Sequence, residues 1–208
     1  MRRLMLLAAC LVPIQLLRLG GLWVLVYGPG HGQLADLLFQ LCFSLLGAAL
    51  LLSAAAAARR DLSLLPTPFA RRDKLLAGGT AVFFLLTAFL RCSAGPLALL
   101  SLACGALATP LFEEVLFRGW VWRALEPYGP RRAWLGSSVL FGLWHLGYVP
   151  SILWRTALLG HPADPAQAVF WKLLSGTVFG LVLGLARHKT GRCLVPFLLH
   201  VALDALGS

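Results

Sequence analysis

Long apolar runs separated by short basic segments constrain this chain more than any other feature of its sequence. The runs are continuous, as in helical membrane spans, and lack the alternation of β-barrel strands. They cover about residues 4–27, 33–58, 75–92, 96–122, 133–149, 167–186 and 193–207. A soluble domain of 208 residues could not bury a chain that is 59% hydrophobic and 12% charged. The sequence therefore predicts an all-α, polytopic membrane protein with about seven transmembrane helices.

The basic residues indicate how these spans are oriented. They collect at the N-terminus and in the segments 59–74, 123–132 and 187–192, which would share one side of the membrane. By the positive-inside rule, that side is the cytoplasm, so the N-terminus is expected inside and the C-terminus outside. These loops also account for the net charge of +10, and binding to nucleic acid is not expected.

Two features depart from the pattern of apolar spans and basic loops. The segment 150–166 contains three prolines and Gly160, and we interpret it as an irregular connector. Arg18 lies inside the first apolar run, and we interpret it as a snorkelling side chain that reaches the interface. Pairing with a lipid head group or binding a substrate anion are alternatives for Arg18.

Glu113, Glu114 and Arg118 lie inside the fourth apolar run, where charge is costly. Each ionisable side chain near the centre of a span costs about 2.5–3.5 kcal/mol. Glu114 and Arg118 are four residues apart, so they share a helix face and can pair. Glu113 points about 100° away and is predicted to meet a different partner. Such a group inside a span indicates a functional site.

Two later spans carry the remaining polar side chains of interest. Phe141 and His145 are four residues apart in the fifth span, and His200 and Asp204 are four apart in the seventh. Polar groups in lipid are driven to find one another, so we expect a polar site between spans four, five and seven. A buried glutamate can act as general base on water, while histidines hold the water, shuttle its proton or stabilise an oxyanion. Asp204 could orient His200 or help to hold the water.

A metal is a second way to use these residues. Glu113, His145 and His200 have the ligand types of a catalytic zinc site with an open position. The sequence contains no HExxH motif, and the three residues come from separate spans. The sequence thus requires no cofactor and leaves zinc open.

These motifs resemble those of the CAAX protease and bacteriocin-processing family of intramembrane endopeptidases, also called the CPBP or Abi family. Its EExxxR motif corresponds to residues 113–118 and its FxxxH motif to 141–145. Its third motif, a histidine followed four residues later by Asn or Asp, corresponds to His200 and Asp204. The resemblance covers about 100–207. Residues 1–95 are therefore expected to be transmembrane helices without a catalytic motif, and 96–208 to be the catalytic core.

The resemblance implies a glutamic-type intramembrane protease, a class once described as metalloproteases. On this basis Glu113 activates water and His145 helps to hold it, while His200 and Asp204 stabilise the oxyanion or position the water. The implied supporting residues are Glu114, Arg118 and Phe141. The implied partners are the lipid bilayer and a membrane-anchored, prenylated or other C-terminal-tail protein substrate. The expected location is the bacterial inner (cytoplasmic) membrane.

Two other functions stay open on the residues alone. A proton-coupled transporter also places Glu, His and Asp side chains inside its spans. A non-catalytic scaffold or immunity protein could keep the motifs for structure. Substitution of Glu113 by glutamine separates the three functions. It would abolish cleavage by a protease, change proton or solute flux through a transporter, and be tolerated by a scaffold.

Overall fold

The computed structural model describes residues 2–25, 27, 32–65 and 68–207, and most of these residues are helical. These residues contain no strand, so the prediction of an all-α protein is confirmed. The helices are α1 (Arg2–Leu25), α2 (Gln33–Ala57), α3 (Arg71–Arg91), α4 (Pro96–Tyr128), α5 (Pro130–His145), α6 (Val149–Leu158), α7 (Pro165–Thr190) and α8 (Leu194–Gly207).

Four of the described helical segments are long and apolar enough to cross a membrane. They are α2, α4, α7 and the segment Arg71–Ala94, which contains α3. Ala9–Val24 within α1 and the whole of α8 are shorter apolar helices. Each predicted span lies largely within a helix, but the count of seven transmembrane helices stays a prediction.

The segment 150–166 is not the irregular connector that the sequence predicted, because most of it forms α6. Pro150 lies in the first turn of α6, where a missing amide hydrogen breaks no helical hydrogen bond. Pro165 begins α7 in the same way. The irregular backbone is confined to 159–164, where Gly160 has a φ of 75°. Pro150 and Pro165 therefore start helices instead of interrupting them, and of the three prolines only Pro162 lies in irregular backbone.

The end of α7 also lies later than predicted. The helix continues through Arg187, assigned above to a basic loop, and ends at Gly191, whose left-handed conformation suits a C-cap. The Arg187 side chain is buried, and its Nε donates to the carbonyl oxygen of Arg118 at 3.2 Å. Arg187 thus joins α7 to α4.

The centre of the structure is α4, which packs against α5 through aromatic side chains. Phe117 of α4 contacts Phe141 and Trp144 of α5, with ring centroids 5.1 and 5.8 Å apart. Two stretches of α4 are wider π-helical turns, Cys104–Ala108 and Val115–Val121. The second begins directly after Glu114. Such turns are frequent at functional sites.

Small residues let α5 lie unusually close to α7, and this is the most extensive helix pair in the described chain. A Cβ atom on Gly180 would lie 2.8 Å from the carbonyl oxygen of Ser138. A Cβ atom on Gly176 would lie 2.7 Å from Cγ of His145. Glycine at these positions allows the two backbones to approach, and it places His145 directly against α7.

Candidate active site

Glu113 is a buried carboxylate whose two oxygens have different surroundings; the residue is only 1% exposed. Its Oε1 atom accepts hydrogen bonds from Trp144 Nε1 at 3.1 Å and from the Tyr148 hydroxyl at 2.7 Å. Its Oε2 atom lies 3.8 Å from Nε2 of His200, which is beyond hydrogen-bond distance. One oxygen is therefore fixed by the protein, and the other is available to a water molecule.

Glu114 has other partners, as the helical spacing predicted. Its Oε1 atom lies 3.1 Å from Nη1 of Arg118, which confirms the predicted pair. The same oxygen lies 2.9 Å from Nδ1 of His200. The Arg118 guanidinium also lies over the Phe141 ring, 4.3 Å from its centroid. Glu114 and Arg118 thus form a buried ion pair against which His200 is held.

His145 lies in the last turn of α5 and is half-buried. Its ring lies 4.5 Å from that of Phe141, which confirms that the two share a helix face. Its Nδ1 atom is 2.8 Å from the Phe141 carbonyl oxygen. Because a carbonyl oxygen can only accept, Nδ1 carries the proton, and Nε2 of the neutral ring is a hydrogen-bond acceptor. His145 can therefore bind a water molecule through Nε2.

His200 and Asp204 lie on one face of α8, as predicted. Nε2 of His200 is 3.4 Å from Oδ2 of Asp204, and His200 is only 3% exposed. Because Glu114 occupies Nδ1 of His200, Nε2 is the ring nitrogen left for Asp204, for Glu113 or for a bound ligand.

The four predicted catalytic residues line one cavity of about 380 Å³. They come from three different helices: Glu113 from α4, His145 from α5, and His200 and Asp204 from α8. The cavity is within the size range of small-ligand sites. Glu114, Arg118 and Phe141, predicted to be supporting residues, do not line it. Glu114 and Phe141 contact His200, which does, and Arg118 contacts Glu114 and Phe141.

This cavity adjoins two others, on either side of α6. One, of about 450 Å³, is lined by α2, α4 and α6 and shares Gln40 and Gly105 with the central cavity. The other, of about 430 Å³, is lined by α6, α7 and the connection between them and shares Lys172 and Ser175. The candidate site therefore lies between two neighbouring recesses.

The sequence did not predict three side chains that support Glu113. Trp144 and Tyr148 donate hydrogen bonds to it directly, and Arg18 of α1 packs against the Tyr148 ring. The Arg18 guanidinium lies 4.0 Å from the Tyr148 ring centroid, and Nη1 donates to the Gly147 carbonyl oxygen at 2.9 Å. Arg18 is 3% exposed, so the snorkelling interpretation was wrong: α1 packs against the end of α5 at this point. The signal that could have revealed the two donors is their spacing of four residues, which suggests a shared face.

A catalytic metal was the alternative use of these residues. No group of three or more His, Cys, Asp or Glu among them could hold a metal ion. In the zinc set considered above, Oε1 of Glu113 and Nδ1 of both histidines already have partners within the protein. The atoms left to bind a metal would be Oε2 of Glu113 and Nε2 of the two histidines, and the need for a metal stays a prediction.

A helical membrane protein with buried carboxylates and imidazoles around one cavity has the parts of a membrane-embedded hydrolase. A sequence model of the type II CAAX prenyl endopeptidase Rce1-like family matches residues 95–206, more than half of the chain. The chain belongs to this family. It is therefore an integral membrane protein and a protease, and the resemblance predicted from the motifs is confirmed. No curated protein and no solved structure matches the chain.

Proposed function

We propose that this chain is a glutamic-type intramembrane endopeptidase in which Glu113 activates the water that attacks a peptide bond. The observation that carries the proposal is the position of Glu113. It is buried, one of its oxygens is fixed by two donors, and its other side faces a cavity lined by two histidines and Asp204. Family membership supports proteolysis in general, and this geometry supports the assignment of roles.

The water lies between Oε2 of Glu113 and Nε2 of His145. Glu113 removes one proton, and the water oxygen forms a bond to the carbonyl carbon of the substrate while the carbonyl electrons move onto its oxygen. Glu113 then returns the proton to the departing nitrogen as the C–N bond breaks. The products are a carboxylic acid and an amine, so the net reaction is the addition of water across the peptide bond.

His200 and Asp204 act on the tetrahedral intermediate. With Nδ1 held by Glu114, a protonated His200 can donate from Nε2 to the oxyanion. Asp204 orients that ring from the next helical turn and helps to position the water. Because the Glu114–Arg118 pair holds the ring in advance, the site needs little rearrangement during the reaction.

The proposed substrate is a membrane-anchored protein cleaved near its C-terminus. The family description names CAAX prenyl endopeptidases, which favours a prenylated tail; another C-terminal tail held at the membrane is the alternative. A cavity between apolar helices also suits a membrane-associated segment better than a fully hydrated one. The proposed location is the bacterial inner membrane.

Glu113→Gln tests the proposal directly. Host membranes would be compared by mass spectrometry of protein N- and C-termini in cells without the chain, with the wild type and with the variant at equal abundance. New termini are expected only with the wild type, since glutamine cannot accept the proton from water. Glu126→Gln is the matched control, because Glu126 lies on the same helix but is exposed and should leave cleavage unchanged.

Two results would contradict this function. Identical termini in all samples, together with a change in proton flux, would favour a transporter. New termini in cells with Glu113→Gln would show that cleavage does not require Glu113.

Chelation tests the metal alternative. Because Glu113 acts as the base on water in the proposed reaction, no step requires a metal, and we expect the purified wild type to keep its activity after prolonged treatment with a zinc chelator. Loss of activity that added zinc restores would contradict this and would assign Glu113, His145 and His200 as ligands.

A further inference from the structure

Lys172 of α7 is a cation in the wall of the candidate active-site cavity. It lines this cavity together with Glu113, His145 and Asp204, and it is close enough to Asp204 for their opposite charges to interact. It lies four residues before Gly176, the residue against which His145 packs, so both are on the same face of α7.

The reaction proposed above assigns Lys172 no role. Within the described ranges, none of the ion pairs within 4.0 Å includes it. It lies in a helix that is apolar and long enough to cross a membrane, where an ammonium group without a counter-charge is costly. Glu113 and Asp204 line the same cavity but do not pair with Lys172 within 4.0 Å, so its ammonium group can pair directly with an anionic ligand.

Lys172 lies where the central cavity adjoins one of its two neighbours. Together with Ser175, it lines both the central cavity and the neighbouring one of about 430 Å³. Asp164 also lines that neighbouring cavity, but it caps α7, with Oδ1 accepting from the Gln167 amide at 2.7 Å. The ammonium group can therefore contact a ligand that occupies the central cavity or extends from it into the neighbouring one.

The chemistry of the cavity indicates which anion fits. Glu113 and Asp204 repel negative charge from their part of the wall, so Lys172 marks the end where an anion is tolerated. A compact ammonium is well suited to bind a single carboxylate. The one anion that every substrate with a C-terminal tail carries is its terminal carboxylate.

We propose that Lys172 binds the C-terminal carboxylate of the substrate and so selects a chain end over an internal segment. This inference rests on the proposed function. Lys172 and Glu113 line the same cavity, which has a volume of about 380 Å³. The scissile bond at Glu113 would therefore lie within a few residues of the C-terminus.

The test uses the full chain in phospholipid vesicles and two forms of one probe. The probe is an S-farnesylated Cys-aliphatic-aliphatic-X peptide with either a free C-terminal acid or a C-terminal amide. For the wild type, we expect kcat/KM for the acid to exceed that for the amide by about 10- to 100-fold, as for one charge-assisted hydrogen bond. In Lys172→Met this preference should disappear, with the acid reduced to the level of the amide and the amide changed by less than about 2-fold.

Two further variants make the result specific. Lys172→Arg keeps the charge and should keep most of the preference for the acid. Lys189→Met removes an exposed lysine near the other end of α7 and should change neither peptide.

Three results would overturn the assignment of Lys172. The first is equal cleavage of the acid and the amide peptide by the wild type. The second is an equal loss of kcat/KM for both peptides in Lys172→Met, which would show that the substitution acts on the catalytic groups. The third is activity that depends on anionic lipid in the wild type and loses this dependence in Lys172→Met, while the ratio of kcat/KM for the acid to that for the amide stays the same. By contrast, the absence of any Glu113-dependent cleavage would overturn the proposed function, and the inference with it.

Discussion

At the scale of single residues, the orientation of Glu113 depends on two donors from the end of α5. Trp144 and Tyr148 both donate to Oε1, so the carboxylate plane is fixed before a substrate arrives. Hydrogen bonds to a charged acceptor are about twice as strong as neutral ones. These two bonds therefore fix the orientation of the Glu113 carboxylate and keep Oε2 directed to the cavity.

Tyr148→Phe tests this arrangement, because it removes one donor and keeps the ring under Arg18. We expect kcat to fall by about 10- to 100-fold, as for the loss of one hydrogen bond to a charged group, with KM nearly unchanged. The measurement is steady-state cleavage of the farnesylated acid peptide. Tyr128→Phe is the control, since Tyr128 is exposed at the end of α4. An unchanged kcat in Tyr148→Phe would show that Trp144 alone fixes the carboxylate.

The residue contacts that could be predicted from the sequence are the local ones. Glu114 and Arg118, Phe141 and His145, and His200 and Asp204 are each four residues apart, and helical geometry alone brings each pair together. The donors to Glu113 lie 31 and 35 residues away along the chain. Their contact depends on how α4 and α5 pack, which the spacing of residues does not specify.

At the scale of helices, the site depends on the close approach of α5 and α7. Gly180→Ala would place a Cβ atom 2.8 Å from the oxygen and 2.9 Å from Cα of Ser138, and both are backbone atoms. We expect the helices to separate and the free energy of unfolding to fall by about 1–3 kcal/mol, as in other overpacked contacts. Thermal unfolding of the purified protein in detergent would measure this as a lower Tm, with a parallel loss of activity.

Gly78→Ala is the matched control, because no atom lies within 4 Å of the Cβ position at Gly78 of α3. It should be neutral or slightly stabilising, since alanine favours a helix more than glycine does. Equal Tm values for the two variants would show that the α5–α7 contact has room for a side chain.

The positions of the helices were largely predictable, since apolar runs report length and hydropathy directly. Two details were not. The prolines around α6 suggested irregular backbone, although Pro150 and Pro165 begin helices. The π-helical turn Val115–Val121 has the same apolar composition as an ordinary helix, so the sequence contains no signal for it.

At the scale of the whole molecule, the N-terminal half contributes to a site whose motifs all lie in the C-terminal half. The family match begins at residue 95, yet Gln15 and Arg18 of α1 bind the backbone on either side of His145. The division at residue 95 thus separates the motifs from the rest of the sequence, and it stays a prediction as a domain boundary. The packing of α1 on α5 makes both halves part of one site.

Arg18→Gln should therefore lower activity although Arg18 lies outside every motif. Without the guanidinium, the Tyr148 ring and the Gly147 carbonyl lose a partner, so we expect a several-fold lower kcat, roughly 1 kcal/mol of transition-state stabilisation. Arg18→Lys should restore part of it. Arg72→Gln, at an exposed arginine of α3, is the control. Full activity of Arg18→Gln would show that Tyr148 is held without α1.

The recesses on either side of α6 affect how the two products leave. A blind pocket would force both fragments to depart by the route that the substrate used, one after the other. Here the central cavity adjoins a recess toward α2 and another toward α7, so the two fragments need not share one route. The lipid-bearing fragment could then return to the bilayer while the short tail escapes to water. The time to clear the site would then be set by the slower departure alone and not by the sum of the two.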